Sequence, residues 1–339
     1  MRFLLGARFC GVAGRATLHA AVVWHVTQVM REPLWLGVLG AVDFLPVVPL
    51  ALVGGAVADR FDRRNVMAAS QLFTAVAAAF LWWAATPDPE RIGLVLAAVF
   101  ASRVAWVFEF PASSALLPTL VPARVFQNAV VVSATNRNLA FAVGPLAAGF
   151  LIFAGGVEAA FAAGGALSLV ASALLLGVGR RAPLQQASAA SWSSVRQGID
   201  FVRGQPAILG AMTVDMLAVI LADPAVLLAV FSEEILAVGP RGYGVLASAM
   251  GFGTFAMAVA LLFAPPMVRP GRALLVAVVV FGAAAVAFGV SRAFPLSVLA
   301  LAVAGMADQV SQVARSTLIQ LSTPDAVRGR VNAVNMVFI

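Results

Sequence analysis

The chain has 339 residues, of which 62% are hydrophobic and only 11% are charged, and its mean hydropathy is +0.97. A typical globular protein is roughly 45–50% apolar and about 25% charged. A water-soluble fold of this length could not cover its surface with so few polar side chains. The composition therefore excludes an ordinary soluble domain and predicts a protein of the lipid bilayer.

Composition also excludes several classes of function. Every one of the 22 Lys-or-Arg positions is arginine, whereas a P-loop ATPase and a Schiff-base enzyme both need lysine. Cys10 is the single cysteine, and His19 and His25 are the only histidines, so we expect no metal and no cofactor. The net charge of +7 is spread between apolar runs, which predicts no nucleic-acid partner. No nucleophile, base and orienting group recur together, so we do not expect an enzyme.

The apolar runs are long enough to cross a membrane about ten times, since a transmembrane helix needs about 20 residues. The first run contains Arg8 and Arg15 and continues to about Met30, which is too long for a cleaved signal peptide. The predicted spans are residues 3–30, 34–58, 66–86, 92–117, 126–153, 157–179, 207–231, 243–263, 273–290 and 294–321, with an eleventh that begins near 331.

A polar, Ser/Ala/Gln-rich connector divides these spans into two halves. We expect an N-terminal six-helix bundle at 1–179, a cytoplasmic connector at 180–206 and an incomplete C-terminal bundle at 207–339. Thirteen loop arginines lie on one predicted face and four on the other. Because cytoplasmic loops retain arginine, this bias predicts a cytoplasmic N-terminus and connector.

Short patterns recur between the halves at an offset near 205 residues, which equals six spans. A parallel repeat of this kind predicts two related bundles. Ile339 then corresponds to a position in span 5, so we expect a twelve-span protein that lacks most of its last two helices, as a fragment or a truncated gene product. The residues Ser114, Leu116, Pro122 and Val125 recur as Ser316, Leu318, Pro324 and Val327.

The loop between spans 2 and 3 reads GAVADRFDRR over residues 55–64. One interpretation is a basic turn that only sets topology. The other is an ion-pair latch, in which Asp59 meets neighbouring arginines and Gly55 allows close helix approach. The arginines of this motif are Arg60, Arg63 and Arg64.

This loop resembles the cytoplasmic signature of the major facilitator superfamily, with Val57 at its Leu position and Asp62 at its second Gly. The stretches ALLPTLVPARVFQNAV and TPDAVRGRVNAVN are similar to the enterobactin-exporter-like, drug:proton antiporter branch, of the transmembrane secretion effector type. Gly144, Pro145 and Gly149 resemble the antiporter signature of span 5, spaced one residue wider.

The resemblance implies an all-α membrane protein of two six-helix bundles that alternate access to a central cavity. It implies a monomer in the bacterial inner membrane that exchanges protons for a small molecule. Asp59 and Arg63 would then belong to a cytoplasmic latch. In this fold spans 1, 4, 7 and 10 line the cavity.

Ten ionisable residues lie within predicted spans, where each costs at least about 2.5 kcal/mol unless it faces a cavity or a partner. Eight of the ten fall in spans 1, 4, 7 and 10. We interpret seven as candidates for proton coupling or substrate binding: Glu109, Asp215, Asp223, Asp308, Arg103, Arg15 and Arg315. The alternatives are snorkelling to water for Arg8, Asp223 and Arg315, and structural pairing for Asp43 and Arg137.

The leading hypothesis is a secondary-active exporter of a small amphipathic molecule, such as a drug, siderophore or metabolite, coupled to protons. Uptake or facilitated diffusion of a polar solute is the second hypothesis. A truncated membrane protein that transports nothing is the third.

Overall fold

The computed structural model describes residues 1–179, 200–222, 227–265, 267–323 and 331. Within these ranges the regular structure is entirely helical. Asp223, most of the predicted connector and nearly all of the predicted eleventh span lie outside them. The long helices are α1 (Arg2–Met30), α2 (Leu34–Phe44), α3 (Val47–Arg60), α4 (Arg63–Ala84), α5 (Ile92–Leu120), α6 (Phe126–Leu176), α7 (Pro206–Ala222), α8 (Gly239–Phe263), α9 (Pro270–Val290) and α10 (Phe294–Ser322).

Six helices of the described part are long and apolar enough to cross a bilayer. One of them contains two predicted spans, because α6 continues through a break at Gly155 and Gly156. Gly156 has a φ of 75°, a conformation that glycine adopts without a steric penalty. The six are Arg63–Ala84, Pro89–Leu120, Asn128–Leu176, Gly239–Phe263, Pro270–Val290 and Phe294–Ser322.

The predicted second span, residues 34–58, is two helices rather than one. α2 ends at Phe44, and α3 begins after Pro46. Proline has no N–H to donate, and its ring crowds the carbonyl four residues earlier, which interrupts a helix. The hydropathy of this run gave no sign of the break, because both sides of it are equally apolar.

The described residues form two compact units. The first contains residues 1–179 and 227–248, and the second contains 200–222, 249–265 and 267–323. Residues 227–248 of the first unit include the short helix Leu228–Val230 and the π-helical turn Phe231–Ile235. The predicted domain limits at 179 and 207 stay a prediction.

α1 contacts both arms of α6 in the first unit through small residues. A Cβ on Gly144 would lie 2.8 Å from the carbonyl oxygen of Ala13, and one on Gly14 would lie 2.9 Å from that of Gly164. Small residues let helix backbones approach this closely inside membranes. This packing carries Arg8 and Arg15 of α1 towards the interior of the unit.

In the second unit, α9 is apolar on every side. One face is buried and contains Leu274, Phe281 and Phe288, while the opposite face leaves Val279 70% and Val286 66% exposed. A helix that is hydrophobic all round belongs to a buried core or a membrane span. The exposed valines therefore form a surface suited to lipid.

The same unit contains a close crossing of α8 and α10, which leads to a first prediction. A Cβ on Gly305 would overlap the carbonyl oxygen of Met250, whereas a Cβ on Gly282 would meet nothing within 4 Å. We expect Gly305→Ala to lower the free energy of unfolding by about 1–3 kcal/mol through overpacking. Unfolding in detergent, followed by circular dichroism, measures this.

The matched control is Gly282→Ala on α9, which should leave stability unchanged or raise it by up to about 1 kcal/mol, since alanine favours helix more than glycine. Equal unfolding midpoints for the two variants would contradict the close crossing.

Candidate functional site

The interior of the first unit is organised around a buried carboxylate, Glu109 of α5. Its side chain is 8% exposed and lies 2.5 Å from Nη1 of Arg15 on α1. Nε2 of Gln71 on α4 donates to both carboxylate oxygens, at 2.8 and 2.9 Å. Gly11 leaves room for this amide, because a Cβ there would overlap Gln71. One acid therefore joins three helices.

A second ion pair in this unit joins Arg103 of α5 to Asp43 of α2. Nε of Arg103 donates to Oδ1 at 2.8 Å, and Nη2 contacts Oδ2, which is the forked geometry that arginine forms with carboxylates. The Arg103 guanidinium also lies 5.1 Å from the ring centroid of Trp106. Arg15 and His19 both interact electrostatically with Arg103, so the two ion pairs are neighbours.

In the second unit the buried acid is Asp215 of α7. Arg315 of α10 donates to Oδ2, and the hydroxyl of Ser311 donates to Oδ1 at 2.5 Å. Asp308 and Asp215 line one small cavity of about 10 Å³, roughly the space of a single water molecule. Asp308, Ser311 and Arg315 of α10 thus belong to one cluster around Asp215.

The motif between α3 and α4 anchors helix ends. Asp62 caps α4 by accepting from the backbone N–H of Arg64 at 3.0 Å. Arg63 is buried and donates to the carbonyl of Ala115 at 3.2 Å, and Arg64 donates to that of Val178 at 2.7 Å. Arg60 is exposed. Gly55 and Asp59 belong to α3, but the surroundings of both residues lie outside the described part, so the Asp59 latch stays a prediction.

The span-5 motif lies on α6 and contacts two other helices of the first unit. The hydroxyl of Thr17 donates to the carbonyl of Gly144 at 3.1 Å. A Cβ on Gly149 would lie 2.6 Å from Cα of Gly244 on α8, so these backbones touch. Pro145 lies within α6 and contributes its carbonyl to the same crossing, 2.9 Å from a Cβ built on Gly244.

Next to the contact between Gly149 and Gly244, Tyr243 connects residues 227–248 to α1. Its buried hydroxyl donates to the carbonyl of Ala20 at 3.0 Å, and its ring lies 5.3 Å from that of Trp24. Arg241 stacks on Phe153 of α6, with 3.4 Å between the guanidinium carbon and the ring centroid. These contacts hold one end of the first unit together.

Sequence reasoning missed Gln71 and Tyr243. Gln71 is the single side-chain amide of the predicted span 66–86, and this was the available signal, since an unpaired amide is unfavourable in lipid. The single tyrosine of the chain was the signal for Tyr243. Among the described residues no cluster of three or more His, Cys, Asp or Glu side chains could hold a metal ion.

Bilayer-spanning helices that bury paired charges are typical of membrane transporters. The family described as "Transmembrane secretion effector" matches residues 1–339. The chain belongs to this family of major facilitator superfamily transporters, which confirms the resemblance seen in the sequence.

Relatives in other bacteria are similar at low identity. The enterobactin exporter EntS of Citrobacter koseri is 25% identical over an alignment of 339 positions. The alignment covers 97% of this chain and 79% of the relative. EntS of Escherichia coli is 24% identical over 334 residues with the same coverage. The MFS-type transporter YfiS of Bacillus subtilis is 28% identical over 187 residues, 54% of this chain and 44% of the relative. The chain thus spans less than half of YfiS and about four fifths of EntS.

Crystal structures of more distant transporters share the fold. A bacterial homologue of the human lysosomal transporter Spinster, inward-facing and unoccupied, has a TM-score of 0.75 at 15% identity over 99% of this chain and 78% of its own. The nucleoside transporter NupG has a TM-score of 0.72 at 14% identity, covering 100% of this chain and 87% of its own. The fold is therefore that of major facilitator transporters.

The Arg15–Glu109 pair leads to a second prediction. Arg15→Gln leaves a buried carboxylate without its cation, which should lower the free energy of unfolding by about 3 kcal/mol. The double variant Arg15→Gln/Glu109→Gln should lose less than the sum of the single changes, by at least about 1 kcal/mol, because the two groups interact directly. Unfolding of all three variants in one detergent measures this coupling.

Arg292→Gln, an exposed position between α9 and α10, is the control for loss of one positive charge and should be neutral. Strictly additive losses in the cycle would contradict the ion pair.

Proposed function

We propose that the chain exports a small amphipathic molecule across the bacterial inner membrane in exchange for protons, as a monomer that alternates access between two six-helix halves. Transport itself follows from the family. The rest is our proposal: the outward direction, the coupling to protons, the amphipathic substrate, the monomeric state, the alternation between two six-helix halves, and the domain limits 1–179, 180–206 and 207–339. The single observation that carries the coupling is Glu109, a buried carboxylate shared by Arg15 and Gln71.

Glu109 has the properties that a proton carrier needs. Its carboxylate lies in an apolar setting and accepts from one cation and one amide, so a proton bound there would compete with both contacts. Protonation would in turn release Arg15, which joins α1 to α5. A group whose protonation changes contacts between helices can bias a conformational equilibrium, which is the physical requirement for coupling.

The second-unit cluster offers a parallel site. Asp215 and Asp308 line one cavity, and Arg315 neutralises the first of them. Two nearby carboxylates resist simultaneous ionisation, which favours uptake of a proton by one. Asp223, also a candidate, lies outside the described residues.

The direction of transport rests on two lines of support. Relatives that cover nearly the whole chain are named enterobactin exporters. The arginine bias of the loops supports a cytoplasmic N-terminus. Uptake or facilitated diffusion predicts instead that solute moves inward, or moves without a gradient.

A third prediction tests the coupling in inverted membrane vesicles. Respiration acidifies the vesicle lumen and quenches acridine orange, and addition of enterobactin should release protons and restore fluorescence. Glu109→Gln should reduce this response at least about tenfold, because glutamine binds no proton at this pH. The initial rate of fluorescence recovery is the measurement.

Glu90→Gln is the matched control, because Glu90 is an exposed glutamate in the turn before α5. It should respond like the unaltered protein. An undiminished response in Glu109→Gln, with the same result for Asp215→Asn and Asp308→Asn, would overturn the assignment of coupling to these carboxylates.

A further inference from the structure

Four arginines of the first unit lie within predicted spans, and two of them have no acidic partner among the described residues. Arg15 pairs with Glu109, and Arg103 pairs with Asp43. For Arg8 and Arg137, no carboxylate of the described residues lies within 4 Å. Charged residues inside a membrane protein usually pair or face a functional cavity, so these two need an explanation.

Arg8 lies on α1, two turns before Arg15, and its side chain contacts two other helices. Its guanidinium donates to the hydroxyl of Ser133 on α6 and to the carbonyl and hydroxyl of Ser113 on α5, the last at 2.6 Å. Its Nε is buried without an acceptor. These acceptors are neutral. Glu109 acts on the charge of Arg8 from beyond 4 Å, but Arg15 already pairs with that carboxylate, and Arg137 adds a second positive charge.

Arg137 lies one helical turn after Ser133, on the same face of α6. It is exposed on the unit, and its charge acts electrostatically on Arg8. Arg137 is eleven residues from the start of α6, about 16 Å along its axis, which is near the middle of a core of roughly 30 Å. A charged residue at this depth usually faces a cavity or a partner rather than lipid.

An aromatic surface adjoins these cations. Phe110 lies one turn before Ser113 on α5, and its ring is 5.2 Å from that of Trp106. Trp106, Phe110 and Ser113 follow the spacing of one helix face. A polar cationic site therefore lies beside rings that can pack against an apolar group.

We propose that Arg8 and Arg137 bind the acidic group of the transported molecule, which makes that molecule an amphipathic organic anion. An oxyanion between the two guanidiniums supplies the missing negative charge. It also accepts a hydrogen bond from the Nε–H of Arg8, which has no other acceptor. The hydroxyls of Ser113 and Ser133 complete the polar side of the site, and Phe110 with Trp106 receives the apolar part. The inference rests on the proposed export function, because it concerns the molecule carried.

A fourth prediction compares two probes that share a ring and differ in charge. Radiolabelled salicylate carries a carboxylate at pH 7, and salicylamide is its neutral counterpart. In equilibrium dialysis of the purified chain in a zwitterionic detergent, salicylate should bind at least about tenfold more tightly. Arg137→Gln should raise the Kd for salicylate about tenfold and leave the Kd for salicylamide unchanged, because only the anion uses the lost charge.

Arg292→Gln removes one positive charge from an exposed loop and should bind salicylate like the unaltered protein. Arg8→Lys keeps the charge but loses the fork, so it should bind salicylate with intermediate affinity. Arg137 is the primary test position because it is exposed, and its substitution should preserve the fold. Salicylate binding equal to that of salicylamide, or equal in the unaltered protein and Arg137→Gln, overturns the proposal.

The acidic headgroup of a lipid is a second source of the same chemistry. In nanodiscs of phosphatidylcholine, salicylate binding should match that in detergent, and phosphatidylglycerol should leave it within about twofold. If phosphatidylglycerol abolishes salicylate binding and phosphatidylcholine does not, the site belongs to a lipid headgroup. That result overturns its assignment to the transported molecule. Dialysis involves no proton gradient, so failed coupling in the vesicle assay and failed anion binding are separate results.

Discussion

The structure depends on one constraint, which is that a charge placed among apolar helices must find a partner there. Removing a charge from water is unfavourable by several kcal/mol, and only a close opposite charge with further hydrogen bonds offsets this. Glu109 meets Arg15 and Gln71, and Asp215 meets Arg315 and Ser311. In each unit one carboxylate thus joins helices that are distant in sequence. The polar contacts decide which helices are neighbours, while apolar packing alone would accept many arrangements.

The two clusters are related by the internal repeat, but with their charges exchanged. In the first unit the arginine lies on the first helix, α1, and the acid on α5, which is predicted span 4. In the second unit the acid lies on α7, predicted span 7, and the arginine on α10, predicted span 10. With an offset near 205, Asp215 corresponds to a position near 10 and Arg315 to one near 110. Both units therefore cross-link corresponding helices by the same kind of bond, and each adds one neutral donor, an amide in one case and a hydroxyl in the other.

Close helix approach makes these bonds possible. Gly144 against Ala13, Gly149 against Gly244 and Gly305 against Met250 bring backbones to within contact distance, and a single Cβ would separate them. Such contacts are sensitive to shape, so a helix pair joined through glycine has few intermediate positions. Buried ion pairs and crossings that tolerate little deformation are the two elements that the proposed coupling uses. Among the arginines within predicted spans of the first unit, Arg8 and Arg137 differ from Arg15 and Arg103, because neither lies within 4 Å of a carboxylate of the described residues.

The sequence by itself determined the bilayer as solvent, the helical class, most span limits and the identity of the embedded charges, because composition and hydropathy depend only on residue type. The family followed from the loop motif at residues 55–64. The sequence did not determine which charged residues pair with one another. Arg15 could have met Asp43 as well as Glu109, and nothing in the run 63–84 assigned Gln71 to Glu109. Helices such as α9 are apolar on every side, so periodicity does not indicate how each is rotated about its axis. Only the tertiary structure sets those rotations, and with them it decided which arginines of the spans pair with a carboxylate among the described residues, as Arg15, Arg103 and Arg315 do.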